Sequence, residues 1–141
     1  NWRISSAYQM ADGNLLPSEQ FGMGGAYTVR GYEERAASGT EGYLVSNELR
    51  TPPLPFGKLF DKTAKDEFQI LGFFDYGETS NRILQRGEDP HTLLMSAGAG
   101  VRYRVSRFLT VRFDYGWQLT DPETLPSSGR SRGHVSALVT F

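Results

Sequence analysis

An antiparallel transmembrane β-barrel is the fold class that this sequence favours, and the chain would form about six of its strands. Three observations predict it. Several segments alternate regularly between apolar and polar side chains, which is the pattern of strands with two unlike faces. In the clearest segments one face carries arginines and the other carries aromatic and aliphatic residues. Short turns also alternate with long polar loops, as in barrels of this kind.

A soluble β-domain remains the alternative at this point, because a sandwich of two sheets would bury the same apolar faces. Its strands are usually shorter, and it seldom alternates short turns with long loops. The pattern therefore favours the membrane barrel, with the apolar face toward lipid, and leaves the soluble fold open.

Composition argues against several functions. The chain has 141 residues, a net charge of −1, no cysteine and two histidines. This charge gives no reason to expect nucleic acid, and the missing thiols exclude disulfides and cysteine chemistry. Two histidines are too few for a histidine-based metal site, and no apolar run reaches the roughly 18 residues of a transmembrane helix. We expect no cofactor, no metal and no nucleic-acid partner.

The first strand is predicted at 2–10, where Trp2 and Ile4 share a face. The sequence begins with Asn1-Trp2, which resembles neither a signal peptide nor a translation start. We therefore expect the C-terminal portion of a longer barrel. An unclosed edge would leave backbone groups unpaired in lipid, so a preceding portion would supply the remaining strands.

A long connection at 11–40 follows this strand. Most connections in compact domains have about four to six residues, and much longer ones are usually functional or disordered. A disordered loop would not normally hold so many large apolar residues close together. These residues are Phe21, Met23, Tyr27, Val29 and Tyr32. We expect the loop to fold back and pack against the strands.

Alternation predicts five more strands, at 43–50, 68–77, 94–105, 109–120 and 134–141. The links between them are a proline-rich segment at 51–65, polar loops at 78–92 and 121–132, and a short turn at 106–107. In the second of these strands, Phe73, Asp75 and Gly77 share the face opposite Phe74 and Tyr76. Asp75 is unusual there, because strands are depleted in aspartate.

The polar faces of these strands form a possible lumenal surface. Its charged members are Glu48, Arg50, Arg102, Arg104, Arg112 and Asp114. The arginines could hold an extended polypeptide through its carbonyls and acidic side chains, or they could pair with the two carboxylates. We favour structural pairing.

Catalytic and metal sites find little support. The residue types of a hydrolase triad are present, namely Ser96, Ser136, His134 and Asp114. The sequence has no Gly-x-Ser-x-Gly elbow around either serine. Asp61, Asp66 and Glu67 cluster in the sequence, and a solvated turn explains them better than a metal site. We therefore expect that the chain is not an enzyme.

Three motifs together resemble a known family. Val29-Arg30-Gly31-Tyr32 lies in the long loop, Phe73-Phe74-Asp75-Tyr76-Gly77 lies in a strand, and the chain ends on Phe141. The combination is similar to the C-terminal barrel portion of two-partner secretion transporters of the hemolysin secretion/activation type, within the BamA-like superfamily of outer-membrane barrels. The resemblance covers essentially the whole chain, and Arg112 to Trp117 is similar to the penultimate strand of that branch.

The resemblance implies a barrel of about 16 strands in the outer membrane of a Gram-negative bacterium. In the family the sixth extracellular loop folds into the lumen, so 11–40 would be that loop and Arg30 would pair with Asp75. Phe141 would be recognised by the barrel assembly machinery. The loops at 78–92 and 121–132 would be extracellular, and the turn at 106–107 periplasmic.

The function implied by the resemblance is export of an unfolded partner exoprotein, of hemolysin or adhesin type, through a gated barrel. Two alternatives stay open. One is an insertase of the same superfamily that assembles outer-membrane proteins. The other is a barrel that anchors a surface enzyme domain.

Overall fold

The computed structural model describes residues 1–13, 15–55, 57, 65–81, 91–120 and 130–141. These residues form eight β-strands: β1 Trp2–Gln9, β2 Phe21–Met23, β3 Ala37–Gly39, β4 Glu41–Arg50, β5 Asp66–Ser80, β6 His91–Val105, β7 Leu109–Gln118 and β8 Ser131–Val139. Within the described ranges no helix is long and apolar enough to cross a membrane. All eight elements are strands, which confirms the predicted all-β class.

Six of the strands form one antiparallel sheet in the order β1-β4-β5-β6-β7-β8. Each strand pairs with the next one along the chain, except that β1 pairs with β4 across the long loop. The sheet is open, with β1 and β8 at its edges. An open antiparallel sheet fits part of a barrel, whereas the predicted number of about 16 strands for the whole barrel stays a prediction.

The two faces of the sheet differ as the alternation predicted. Along β5, Leu71, Phe73, Asp75, Gly77 and Thr79 are buried on one face, and the residues between them are more exposed. The opposite face exposes large apolar side chains, among them Ile70, Phe74, Phe113, Tyr115, Trp117 and Val135. A polar inner face with an apolar outer face is the arrangement of a strand between water and lipid.

Several strands continue beyond the ranges that alternation predicted. β4 begins at Glu41, β5 runs to Ser80, β6 begins at His91 and β8 begins at Ser131. The added residues are mostly polar, and their backbones remain paired, as with Thr79 opposite Thr92. The apolar pattern that marks a strand in sequence ends before the hydrogen-bonded ladder does. β1 and β7 are slightly shorter than predicted.

The long loop contains a hairpin that the sequence analysis treated as irregular chain. β2 and β3 pair antiparallel, with Phe21 opposite Gly39 and Met23 opposite Ala37. Each strand has only three residues, too few for a periodic signal. The loop packs back on the sheet and forms the hydrophobic core with it. The buried members are Met23, Val29, Tyr32, Ala37, Leu44 and Leu94.

Candidate functional site

Arg30 lies on the inner face of the sheet and makes a fork of contacts with Asp75. Its Nε donates to Asp75 Oδ2 at 2.8 Å, and its Nη2 donates to Asp75 Oδ1 at 2.8 Å. The backbone N–H of Arg30 also donates to Oδ2 at 3.1 Å. Only 3% of Arg30 and none of Asp75 is exposed. Both the side chain and the backbone of the loop are thus tied to one carboxylate of β5.

Arg30 has further partners on two other strands. Its Nη1 donates to Glu48 Oε1 at 2.6 Å, and its Nη2 donates to Ser46 Oγ at 3.1 Å, both on β4. Nη1 also lies 3.5 Å from Asp114 Oδ1 on β7. The guanidinium carbon lies 3.6 Å from the centroid of the Phe73 ring, a cation–π geometry. We call Arg30 with Asp75, Glu48, Ser46 and Asp114 the anchor network.

Two neighbouring arginines balance the charge of the anchor network. Arg50 donates to Glu48 Oε2, and Arg102 Nη2 lies 2.9 Å from Asp114 Oδ1. With Arg30, three cations face the three carboxylates. Burial would lower the pKa of Arg30, but the hydrogen bond and the charge of Asp75, with two further carboxylates, raise that pKa above its ordinary value. The Arg30 guanidinium therefore stays charged inside the protein.

The Phe73 ring that supports Arg30 occupies space left by a glycine. A Cβ added to Gly98 would come within 2.4 Å of the Phe73 ring. Gly98 is the β6 residue directly opposite Phe73. The ring is therefore held between Gly98 and the guanidinium of Arg30.

A second close approach brings the loop backbone against β7. Gly31 has φ = +94°, a backbone conformation that glycine adopts readily and other residues rarely do. A Cβ added to Gly116 would lie 2.8 Å from the Gly31 nitrogen. Side chains also bind both backbone groups of Gly31. Gly31 N–H donates to His134 Nε2 at 3.2 Å, and Gln118 Nε2 donates to the Gly31 carbonyl at 2.7 Å. Two glycines and two polar side chains therefore fix the loop against β7 and β8.

Gly77, the last residue of the strand motif, leaves room for apolar side chains of the loop. A Cβ there would lie 2.5 Å from Met23 Sδ and 3.1 Å from Val29 Cγ2. The side chains of Met23 and Val29 therefore fill the space beside Gly77.

Tyr32 joins the loop to the ends of β6 and β7. Its hydroxyl lies 2.6 Å from the Thr120 carbonyl, 2.9 Å from Thr120 Oγ1 and 2.9 Å from the Met95 carbonyl. Only 2% of the residue is exposed. The four residues of the loop motif therefore have distinct contacts: apolar packing, ion pairing, backbone approach and a buried hydroxyl.

A family model described as haemolysin secretion/activation protein ShlB/FhaC/HecB matches residues 1–103. The chain belongs to this family. The matched range contains the loop motif, the Asp75 motif of β5, and the anchor residues on β4. No curated protein matches the chain.

The ShlB/FhaC/HecB family consists of outer-membrane secretion and activation transporters of the two-partner type. Its members are transporters and not enzymes, and each acts with a secreted exoprotein as the second partner. The all-β structure agrees with this membership. The hydrolase reading finds no support in geometry: Ser96 is fully buried and its Oγ makes no hydrogen bond.

The remaining sequence-predicted residues lie outside the anchor network. Arg104 pairs with Glu67, and both side chains are about half exposed. Arg112 has no acidic partner in the described part of the chain, and its guanidinium carbon lies 5.5 Å from the Tyr27 ring centroid. Phe141 is fully exposed at the chain end, so its role in assembly stays a prediction. No metal-binding cluster occurs among the described residues, and Asp61 lies outside them.

Sequence reasoning missed several residues that hold the loop. Ser46, His134 and Gln118 were not assigned to it, and neither were Gly98 and Gly116. The two glycines carried a usable signal. A glycine inside a strand weakens the strand and often marks the close approach of another group. Ser46, His134 and Gln118 carried no such signal, because polar residues are ordinary on the polar face of a strand.

Proposed function

We propose that this chain is part of an outer-membrane transporter that exports a partner exoprotein as an unfolded polypeptide. In this proposal the loop at 11–40 is the internal gate. It occupies the inner face of the sheet, along which an exported polypeptide would pass. The observation that carries the proposal is the buried fork between Arg30 and Asp75.

The chemistry of the anchor network supports a positioning role for the loop. Buried ion pairs are weak evidence of stability, because apolar side chains of similar volume often replace them without loss. In this proposal the pair gives the loop one defined arrangement, since charges removed from water are costly in any other place. One loop residue that contacts β4, β5 and β7 therefore favours a single seat for the gate.

The proposal also assigns the two ends of the sheet. The loop at 11–40 and the last residues of β5 and β7 lie at one end, which we place outside the cell. The β6–β7 turn lies at the other end, which we place in the periplasm. Long loops outside and short turns inside are usual in outer-membrane barrels.

Secretion of the exoprotein tests this function. The full-length protein with Arg30→Ala is compared with the native protein at equal amounts of folded barrel in the outer membrane. We expect secretion to fall strongly with Arg30→Ala, and to fall less with Arg30→Lys, which keeps the charge and loses the fork.

Arg107→Ala is the matched control, because it also removes one arginine but lies in the β6–β7 turn beside Phe108. It should leave secretion unchanged. Native levels of secretion with Arg30→Ala would contradict a gate positioned by this residue.

A further inference from the structure

A cavity of about 400 Å³ lies beside the anchor network on the inner face. Its lining includes five arginines besides Arg30, namely Arg3, Arg50, Arg102, Arg104 and Arg112, together with Tyr27 from the loop. Its acidic lining residues are Glu48 and Glu67, which pair with Arg50 and Arg104. We call this space the basic cavity, since more arginines than carboxylates line it.

Two arginines of the basic cavity face each other across neighbouring strands. Arg102 on β6 and Arg112 on β7 are directly paired in register. Like charges at such positions destabilise a sheet. Asp114 compensates Arg102, whereas Arg112 has no acidic partner among the described residues. The stability of the sheet does not explain why position 112 is an arginine, because a neutral residue there would remove the repulsion with Arg102.

Arg102 adds a buried positive charge beside Arg112. It is 8% exposed, and its Nη1 donates to the Val101 carbonyl at 3.0 Å and the Phe113 carbonyl at 3.3 Å. Its Nη2 lies 2.9 Å from Asp114 Oδ1, so its charge has a partner inside the protein. Arg112 has no such partner among the described residues. An anion in the basic cavity would supply the counter-charge that Arg112 lacks.

Tyr27 indicates which anion fits. Its side chain is 74% exposed at the tip of the loop, and its ring lies beside the guanidinium of Arg112. An aromatic face next to paired arginines suits a carboxylate on an organic chain, because the ring contacts the apolar part of that chain. A side-chain carboxylate of an extended polypeptide has both parts.

We propose that Arg112 and Tyr27, beside the buried charge of Arg102, form a subsite for glutamate or aspartate side chains of the exported polypeptide. This inference rests on the proposed function and adds to it a substrate chemistry, namely acidic segments of an unfolded chain. The polypeptide would contact the wall through charge-assisted hydrogen bonds, which water can exchange, so that it can move on.

Peptide binding to the purified full-length protein in detergent tests the subsite. The probe is a fluorescent octaglutamate peptide, with octaglutamine as the uncharged control, and binding is followed by fluorescence anisotropy. We expect octaglutamate to bind in a salt-sensitive manner and octaglutamine to bind much more weakly. Arg112→Gln should weaken octaglutamate binding about tenfold, as for the loss of one charge-assisted hydrogen bond.

Arg107→Gln is the control, since it removes the same charge outside the basic cavity. Equal octaglutamate binding by the native protein and Arg112→Gln would overturn the subsite, and so would equal weakening by Arg107→Gln. Competition by acetate at the same carboxylate concentration would show a small-anion site and overturn the polypeptide assignment. Thermal unfolding should show Arg112→Gln to be at least as stable as the native protein, because it relieves the repulsion with Arg102.

The two proposals can fail separately. If octaglutamate binding is unaffected by Arg112→Gln while Arg30→Ala still blocks secretion, the subsite falls and the transport function stands. If Arg30→Ala leaves secretion intact while the peptide result holds, the gate falls and the acidic-peptide site stands.

Discussion

Arg30 and Arg102 are two buried arginines on the same face of one sheet, and their surroundings differ sharply. All three guanidinium nitrogens of Arg30 donate hydrogen bonds to side chains. In Arg102, Nη1 donates to two backbone carbonyls, Nη2 lies 2.9 Å from one oxygen of Asp114, and Nε has no partner. The exposed fractions are similar, 3% and 8%. Burial of an arginine therefore does not decide its role: Arg30 ties the loop to three strands, whereas Arg102 lies beside Arg112, which has no acidic partner among the described residues.

Removing the carboxylate of the anchor network should have the largest effect. Asp75→Ala removes the fork and leaves Arg30 with Glu48 and Ser46 on β4 and Asp114 on β7. We expect the free energy of unfolding to fall by about 3 kcal/mol, the lower end of the cost of breaking a buried pair, because Glu48 still compensates the cation. Urea unfolding of the full-length protein in detergent measures this change.

Adding a methyl group at the loop–wall contact should have the next largest effect. Gly116→Ala places a Cβ 2.8 Å from the Gly31 nitrogen, so the loop must shift. Overpacking of this kind costs about 1–3 kcal/mol. Gly72→Ala is the control, because its Cβ would meet nothing closer than 3.8 Å. Limited proteolysis should cut the loop faster in Gly116→Ala only; equal cutting of both variants would show that the contact does not hold the loop.

Loss of the Tyr32 hydroxyl should have a smaller effect. Tyr32→Phe removes the donor between the Met95 and Thr120 carbonyls, which we expect to cost about 1 kcal/mol of unfolding free energy. Tyr27→Phe removes an exposed hydroxyl and should change nothing. A difference between the two variants in urea unfolding checks this. The absence of any difference would mean that water replaces the hydroxyl without loss.

The smallest effect is expected at an exposed ion pair of the basic cavity. Glu67→Gln breaks the pair with Arg104, and both side chains are about half exposed. Such pairs contribute about 0–1 kcal/mol because solvent screens them. Urea unfolding should therefore barely distinguish Glu67→Gln from the native protein. A loss as large as that of Asp75→Ala would remove the contrast between the anchor network and the cavity.

Alternation predicted the strands and their faces because side chains on a strand alternate strictly. Phe73, Asp75 and Gly77 were assigned to the inner face on that ground alone. The contact between Arg30 and Asp75 was expected only from the resemblance, since 45 residues separate the two in sequence. No periodic signal could reach across that distance.

Other features were not predictable for physical reasons. That Glu48 and Asp114 share Arg30 depends on strand register and on the depth of the loop. The hairpin of β2 and β3 is too short to show a period. The acceptors of Tyr32 include two backbone carbonyls, which every residue has.

The extra partners of Arg30 also change what a charge exchange can show. With Arg30→Asp and Asp75→Arg together, the new aspartate would lie beside Glu48 and Asp114. The repulsion between carboxylates would oppose the new pair. We therefore expect the double variant not to restore secretion, although a simple two-residue pair would predict that it does.

The most direct measurement concerns whether the anchor network holds the loop against the sheet. None of these 141 residues is a cysteine, so Val29→Cys introduces one thiol into this part of the protein, at a loop position that is fully buried against the sheet. A membrane-impermeant maleimide is added to intact cells, and the labelling rate is compared with and without Asp75→Ala. Tyr27→Cys, at an exposed position, is the control and should react equally in both backgrounds.

We predict slow labelling of Val29→Cys when Asp75 is present and labelling at least about tenfold faster when it is replaced, since the loss of a buried partner exceeds the 1.4 kcal/mol of one decade. Equal labelling rates of Val29→Cys in the two backgrounds would contradict a loop held in place by Arg30 and Asp75.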